Sequence, residues 1–202
     1  MPKEFSLQAE RSFIGAWFMD SPSVCDDLVR LFRESPARYP GEIVDYAGKA
    51  GVIDKAVKDS VEIMFEPNSS VPEFRRYIVE LLKCVKAYTE LFPYCDAYAP
   101  WHIIQKTNLQ FYPPGGGFKI FHTERLSAVP PSSTRHLVFM TYLNDVTDAG
   151  GTEFFHQKLT VQPRKGLTLV WPADWTHTHR GIVSPTQEKF IITGWFNYVQ
   201  PS

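Results

Sequence analysis

The sequence predicts an α+β domain built around a β-sandwich or jelly roll. Helical patterns fill the first half of the chain, and short strand patterns separated by Gly- and Pro-rich turns fill the second. The 15 Phe, 9 Tyr and 5 Trp, beside 16 Pro, suit strands and turns better than a helical bundle. With 202 residues, 44% hydrophobic and 21% charged, the chain is long enough for one domain with a sizeable core.

Each element has its own signal. SFIGAWFM at 12–19 is a short apolar run and reads as a strand. Ser21-Pro22-Ser23 reads as a helix start, a capping hydroxyl followed by Pro with Asp26 and Asp27 in the first turn. Val24, Leu28, Leu31 and Phe32 continue it at helical spacing. Residues 38–51 are loop-like around Pro40-Gly41, and 60–65 form a second strand candidate. Pro72 opens a longer helix to about Glu90, with Phe74, Ile78, Leu81, Leu82, Val85 and Tyr88 as its core stripe. Strands are expected at 107–112, 119–122, 136–143, 158–161, 167–171 and 189–198, with turns at PPGGG (113–117), VPPSS (129–133) and DAGG (148–151).

Bulk properties narrow the function. A net charge of -1 gives no global pull toward nucleic acid or membrane. Cys25, Cys84 and Cys95, without a CxxC pair, argue against a disulfide framework or a cysteine zinc site. The start MPKEFSLQAERSF lacks an apolar signal region and no 18-residue apolar run occurs, so the expectation is a soluble cytoplasmic protein without membrane contact.

His122 and Glu124 carry the chemistry. On a strand, residues two apart share a face, so this His-x-Glu pair offers two adjacent metal ligands. A distant histidine would complete a facial triad, two imidazoles and a carboxylate on one side of an octahedral Fe(II) with three positions open. His177 and His179 compete for that place, and spacing within the chain does not separate them.

From about residue 110 to 198 the chain resembles the Fe(II)/2-oxoglutarate-dependent dioxygenases, specifically their prolyl 4-hydroxylase-like branch. YPPGGGFKIFHTE (112–124), Arg135 with FMTYLNDV (139–146), GGTEFF (150–155), VQPRKGLTLVW (161–171) and HRGIVSPTQEKFIITGW (179–195) resemble that family's motifs in order. The family places a Lys ten residues after its distal His and a Trp six further on; here 189−179 = 10 and 195−189 = 6. The resemblance therefore selects His179 as the third ligand and assigns Lys189 to the distal carboxylate of 2-oxoglutarate, with Thr193 and Tyr112 as further co-substrate contacts and Trp195 beside them. Tyr112 lies one residue further from the histidine than in the family, Glu124 stands where Asp is usual, and Gly-Gly-Thr-Glu reverses the family's Glu-Thr order. Arg135 reads as structural. IDKAVKDSVEIMF (53–65) faintly resembles the strand that precedes the family's core.

The resemblance implies a double-stranded β-helix (jelly-roll, cupin-like) core over about 107–198, braced by a helix-rich N-terminal portion over about 1–100 within a single domain, 1–202. It implies Fe(II), 2-oxoglutarate and O2, with ascorbate as a reductant, and hydroxylation of a C–H bond in a prolyl residue of a peptide or protein. A small metabolite or free amino acid is the alternative substrate, and nucleic acid is disfavoured by the charge. Loops 127–134 and 37–53 are expected to wall the substrate site. Trp101, Trp171, Trp175 and Trp195 can line the pocket or fill the core. Two other classes compete. One is a non-catalytic jelly-roll binding module, which would not consume 2-oxoglutarate. The other is a His2Glu zinc hydrolase, although the helical HExxH spacing is absent.

Overall fold

The computed structural model describes residues 3–5, 12–43 and 51–200. In chain order its elements are β1 (Lys3–Glu4), β2 (Gly15–Phe18), α1 (Ser23–Glu34), β3 (Tyr39–Pro40), β4 (Lys58–Asp59), β5 (Val61–Phe65), α2 (Pro72–Leu91), β6 (Trp101–His102), β7 (Thr107–Tyr112), β8 (Gly117–Phe118), β9 (Arg135–Tyr142), β10 (Thr152–Phe154), β11 (Leu159–Val161), β12 (Leu167–Pro172), β13 (His179–Gly181) and β14 (Lys189–Tyr198). A large sheet runs β1-β2-β12-β9-β14-β7-β5-β3, with β6 added beside β14. A small sheet runs β11-β10-β13, and β4 pairs with β8.

Both faces of the large sheet are buried, which explains why its central strands read as nearly unbroken apolar runs. On one face Leu109, Leu137, Phe139, Val170, Phe190, Ile192 and Phe196 pack with Leu28 and Phe32 of α1 and Phe74, Tyr77, Leu81 and Tyr88 of α2. On the other, Tyr112, Val138, Met140, Tyr142, Leu167, Leu169, Trp171 and Ile191 meet Phe154 and Val161 of the small sheet. The alternation is strict along β9 and β14. It holds polar residues only where they are bonded: Thr141 lies 3.1 Å from the Tyr77 hydroxyl and 2.8 Å from Thr168. Gly194 leaves room for the ring of Phe139 across the β9–β14 pair, since a Cβ there would stand 2.5 Å from it.

Several expectations need correction. Only Gly117–Phe118 is strand near the expected 119–122, and His122 makes an isolated bridge instead. Ser21 provides no side-chain cap for α1, whose N-cap is Pro22; its N–H instead donates to Glu80 at 3.1 Å. Along α2 the buried stripe includes Tyr77 and Cys84, while Leu82 is exposed and Ile78 half-buried. Tyr77 and Leu81 form the stripe because α2 packs against β12 and β2 with those residues inward. Residues 44–50 of the loop-like stretch lie outside the described residues. The three cysteines are free, and no described helix is long and apolar enough to cross a membrane.

One polar cluster is built into the sheet edge. Lys58 and Glu62, 6% and 1% exposed at their side chains, pair at 2.6 Å. Glu62 also accepts from Ser60 at 2.7 Å and from Asn108 at 2.6 Å. A buried ion pair contributes little net stability, but removing one partner leaves an uncompensated charge. Glu62→Leu should therefore cost about 3–5 kcal/mol in denaturant unfolding, and the Lys58→Met, Glu62→Leu double variant much less. A single variant as stable as the double would contradict that coupling.

Candidate metal and co-substrate site

The site begins with two backbone hydrogen bonds. His122 and His179 form an antiparallel bridge in which each N–H donates to the other's carbonyl at 2.9 Å. That places the rings side by side, centroids 4.4 Å apart. In each ring Nδ1 faces the carbonyl two residues earlier, Ile120 for His122 at 3.0 Å and His177 for His179 at 2.9 Å. A carbonyl only accepts, so Nδ1 carries the proton and Nε2 keeps its lone pair, the tautomer a metal needs. Phe118 stacks on His122 at 3.8 Å and 11°, while Trp171 and Phe154 abut His179 at 5.1 and 5.6 Å.

Glu124 completes the cluster. Its Oε1 lies 3.7 Å from His122 Nε2 and 3.4 Å from His179 Nε2. Ligand atoms of the three residues lie within 4.8 Å of one another, the one such His/Cys/Asp/Glu group found among the described residues. The HxE spacing does bring the pair together, but not through strand pleat. Beyond the bridge the chain turns, and Arg135 holds the Glu124 carbonyl at 2.7 Å. The other carboxylate oxygen, Oε2, accepts from Trp195 Nε1 at 2.9 Å and lies 3.6 Å from Arg135 Nη1.

Charge states suit a cation. Burial, with the neighbouring His179, pushes His122 down to about 4, so it is neutral at pH 7. Burial alone would raise Glu124, but the adjoining imidazoles and the Arg135 guanidinium outweigh it and hold the carboxyl at about 2. Two imidazoles presenting Nε2 and one carboxylate are the donor set of a facial Fe(II) site, and these residues fit that ion.

Lys189 opens β14 opposite Tyr112 and is 4% exposed. Its Nζ donates to the carbonyls of Gly150 at 2.8 Å and Ile182 at 3.5 Å and stands 5.0 Å from the Tyr112 ring centroid. Gly150 sits at φ +76°, a left-handed conformation that glycine adopts without strain. Among the described residues no carboxylate pairs with Lys189, and burial lowers it to about 8. A buried ammonium with only neutral carbonyls is an anion site in waiting. The Tyr112 hydroxyl donates to Gln110 at 2.6 Å, and burial, then the charges of Glu62 and Glu124, raise its titration well above that of a free phenol.

The remaining expectations divide. Thr193 lies on the same face, but its hydroxyl donates to the Phe139 carbonyl at 2.9 Å, so a carboxylate could take that proton only by breaking this bond. Trp195 reaches the metal end, at Glu124, rather than the Lys189 end. His177 is buried but faces away, held by the Ser12 carbonyl at 2.8 Å and Thr176 at 2.9 Å. Of the other tryptophans, Trp101 packs on Phe196 beneath the sheet and Trp175 is exposed. Phe118, Gln110 and the Lys58–Glu62 pair were not singled out in the sequence. The period-2 row Lys58, Ser60, Glu62 was the available signal for a shared polar face.

Two outcomes follow. His179→Ala should weaken Mn(II) binding by at least ~100-fold in calorimetry, whereas His177→Ala should leave it near wild type; the reverse order would exclude this ligand set. An unfolded lysine titrates near 10.5 and Lys189 near 8, so the folded state releases its proton first. Unfolding free energy should therefore rise by up to ~3 kcal/mol from pH 8 to 10.5, relative to Lys189→Met over the same range. Parallel curves for the two proteins would contradict the buried, unpaired ammonium.

Residues 107–197 match the family described as the 2OG-Fe(II) oxygenase superfamily. No curated protein matches the chain in sequence. Among solved structures, a viral collagen prolyl hydroxylase from Paramecium Bursaria Chlorella virus-1, in complex with 2OG, aligns with TM-score 0.68 and 17% identity over 95% of this chain and 99% of that one. A prolyl-4-hydroxylase from Pseudomonas putida gives 0.68 and 16% over 91% and 92%. A Trichoplax adhaerens prolyl hydroxylase, in complex with a hypoxia inducible factor peptide fragment, gives 0.70 and 15% over 95% and 86%. At these identities the likeness establishes shared fold. The family match spans the bridge histidines, Glu124 and Lys189, and the chain shares the fold of the prolyl hydroxylases.

Proposed function

We propose that the protein is an Fe(II)- and 2-oxoglutarate-dependent dioxygenase that hydroxylates the C–H bond of a prolyl residue in a peptide or protein, converting 2-oxoglutarate and O2 to succinate and CO2. The observation that carries the reading is Lys189, a buried ammonium with no carboxylate partner among the described residues, on the face of the large sheet that packs against the small sheet carrying His179. A metal triad alone fits many chemistries. A triad with a dry cationic pocket beside it calls for an anionic co-substrate that reaches both.

His122, Glu124 and His179 would hold the metal through Nε2, Oε1 and Nε2. Fe(II), when bound, supplies Lewis acidity and oxygen activation. Because His122 is neutral and Glu124 ionised at pH 7, neither has to lose a proton first. Lys189 anchors the far carboxylate of 2-oxoglutarate, and Tyr112 can join it by exchanging its bond to Gln110. Phe118, Phe154, Trp171 and Ile191 keep the chamber apolar, which strengthens the Lys189 ion pair and excludes water from the reacting centre.

The prolyl substrate rests on the likeness to prolyl hydroxylases, one of them solved with a bound peptide fragment. The same chemistry on a free amino acid or other small metabolite is the second reading. On this account residues 107–198 are the catalytic core, the N-terminal portion its support, ascorbate the reductant, and the cytoplasm the setting, where the free cysteines stay reduced.

The test is turnover. With Fe(II), 2-oxoglutarate, O2 and ascorbate, a proline-containing peptide should gain one oxygen atom as succinate forms. No succinate from protein that binds both ligands would overturn the enzyme reading. Oxygen on another residue type, or only on a small molecule, would overturn the prolyl assignment. Lys189→Met should raise the 2-oxoglutarate requirement on the order of 100-fold with iron affinity little changed, and an unchanged requirement would remove Lys189 from the pocket.

A further inference from the structure

We propose that Trp195 and Arg135 are positioning residues that hold the outer oxygen of Glu124, so that one oxygen alone faces the metal, and that this clamp is fitted to the length of glutamate. The inference rests on the reading of His122, Glu124 and His179 as metal ligands.

A free carboxylate has two equivalent oxygens and can swing between one-oxygen and two-oxygen coordination. Here the oxygens are inequivalent. Oε1 faces the imidazoles at 3.4 and 3.7 Å, while Oε2 accepts the indole N–H of Trp195 at 2.9 Å and lies 3.6 Å from Arg135. The indole is a donor only, on a ring with two rotatable bonds, set in the middle of β14 opposite Val138. The Arg135 guanidinium lies over that ring at 3.6 Å and blocks its rotation.

Arg135 is fixed in turn. Its Nη1 donates to the Glu124 carbonyl at 2.7 Å and its Nη2 to Gln105 at 2.9 Å. Gln105 donates to Asn197 at 2.8 Å, and buried Asn197 donates to the Pro131 carbonyl at 2.9 Å and Thr134 at 3.0 Å. The guanidinium thus grips residue 124 at its backbone oxygen and stands beside its carboxylate. The distance between those grips is spanned by the glutamate side chain. Aspartate, one methylene shorter, can reach Trp195 or present an oxygen beside the imidazoles, but not both.

The test is a metal-affinity cycle on metal-free protein, read by Mn(II) calorimetry and by the visible spectrum of the Co(II) form, with unfolding midpoints as the fold control. Glu124→Asp should weaken metal binding on the order of 10- to 100-fold and alter the Co(II) spectrum. Trp195→Phe should weaken it about 10-fold. The double variant should bind no more weakly than Glu124→Asp alone, because aspartate has already left the indole. If Trp195→Phe fails to fold, Arg135→Lys replaces it; lysine keeps the charge but loses the fork, and the same non-additivity is expected. Wild-type affinity in Glu124→Asp, or losses that simply add, would overturn the clamp while leaving the metal site in place. A wild-type protein that binds no divalent metal would instead overturn the ligand reading itself, and the clamp with it.

Discussion

The reciprocal pair of backbone hydrogen bonds between His122 and His179 is the constraint on which the site depends. It ties the segment after β8 to the start of β13, which carries β10 and the small sheet with it. Without that bridge the two imidazoles would belong to separate surface segments. With it, their Nδ1 protons are committed to backbone carbonyls and both Nε2 atoms face Glu124. Phe154, one register position across from His179 on β10, closes the chamber from the small-sheet side. Backbone pairing thus sets the geometry of the three side chains, and a metal held there as proposed would not have to organise loose ligands.

The same face is electrostatically unfinished. Elsewhere buried charge is compensated: Lys58 by Glu62, Glu124 by Arg135. Among the described residues Lys189 has only carbonyl dipoles and the Tyr112 ring. Such an arrangement costs stability in the empty protein, and the proposed 2-oxoglutarate carboxylate would return it as affinity. On the proposed function, stability and function pull against each other at this one residue, as active-site residues commonly depart from the pairing rules obeyed in the rest of a fold.

Much of this was legible in the sequence, for identifiable reasons. Strands β7 and β14 match the expected 107–112 and 189–198 because both of their faces are buried and the apolar run is continuous. Strands β10 and β13 were missed; three residues long, they exist through their pairing with each other, which no local pattern encodes. The expected strand at 119–122 failed because the chain there serves the bridge rather than a ladder. His179 and Lys189 were singled out through motif spacing, whereas the contacts of Phe118 and Gln110 depend on tertiary neighbours. Arg135, read as structural, does hold structure, but the structure it holds is Glu124. Leu82 fits the helical stripe by spacing and is nevertheless exposed, because α2 presents Tyr77 and Leu81 to the sheet instead.

The most direct measurement is an anaerobic titration of metal-free protein with Fe(II) and then 2-oxoglutarate, following the visible charge-transfer absorption of the chelate. The account predicts a band that requires both additions, survives in His177→Ala and vanishes in His179→Ala. No band in folded wild-type protein, or a band lost in His177→Ala and kept in His179→Ala, would contradict it.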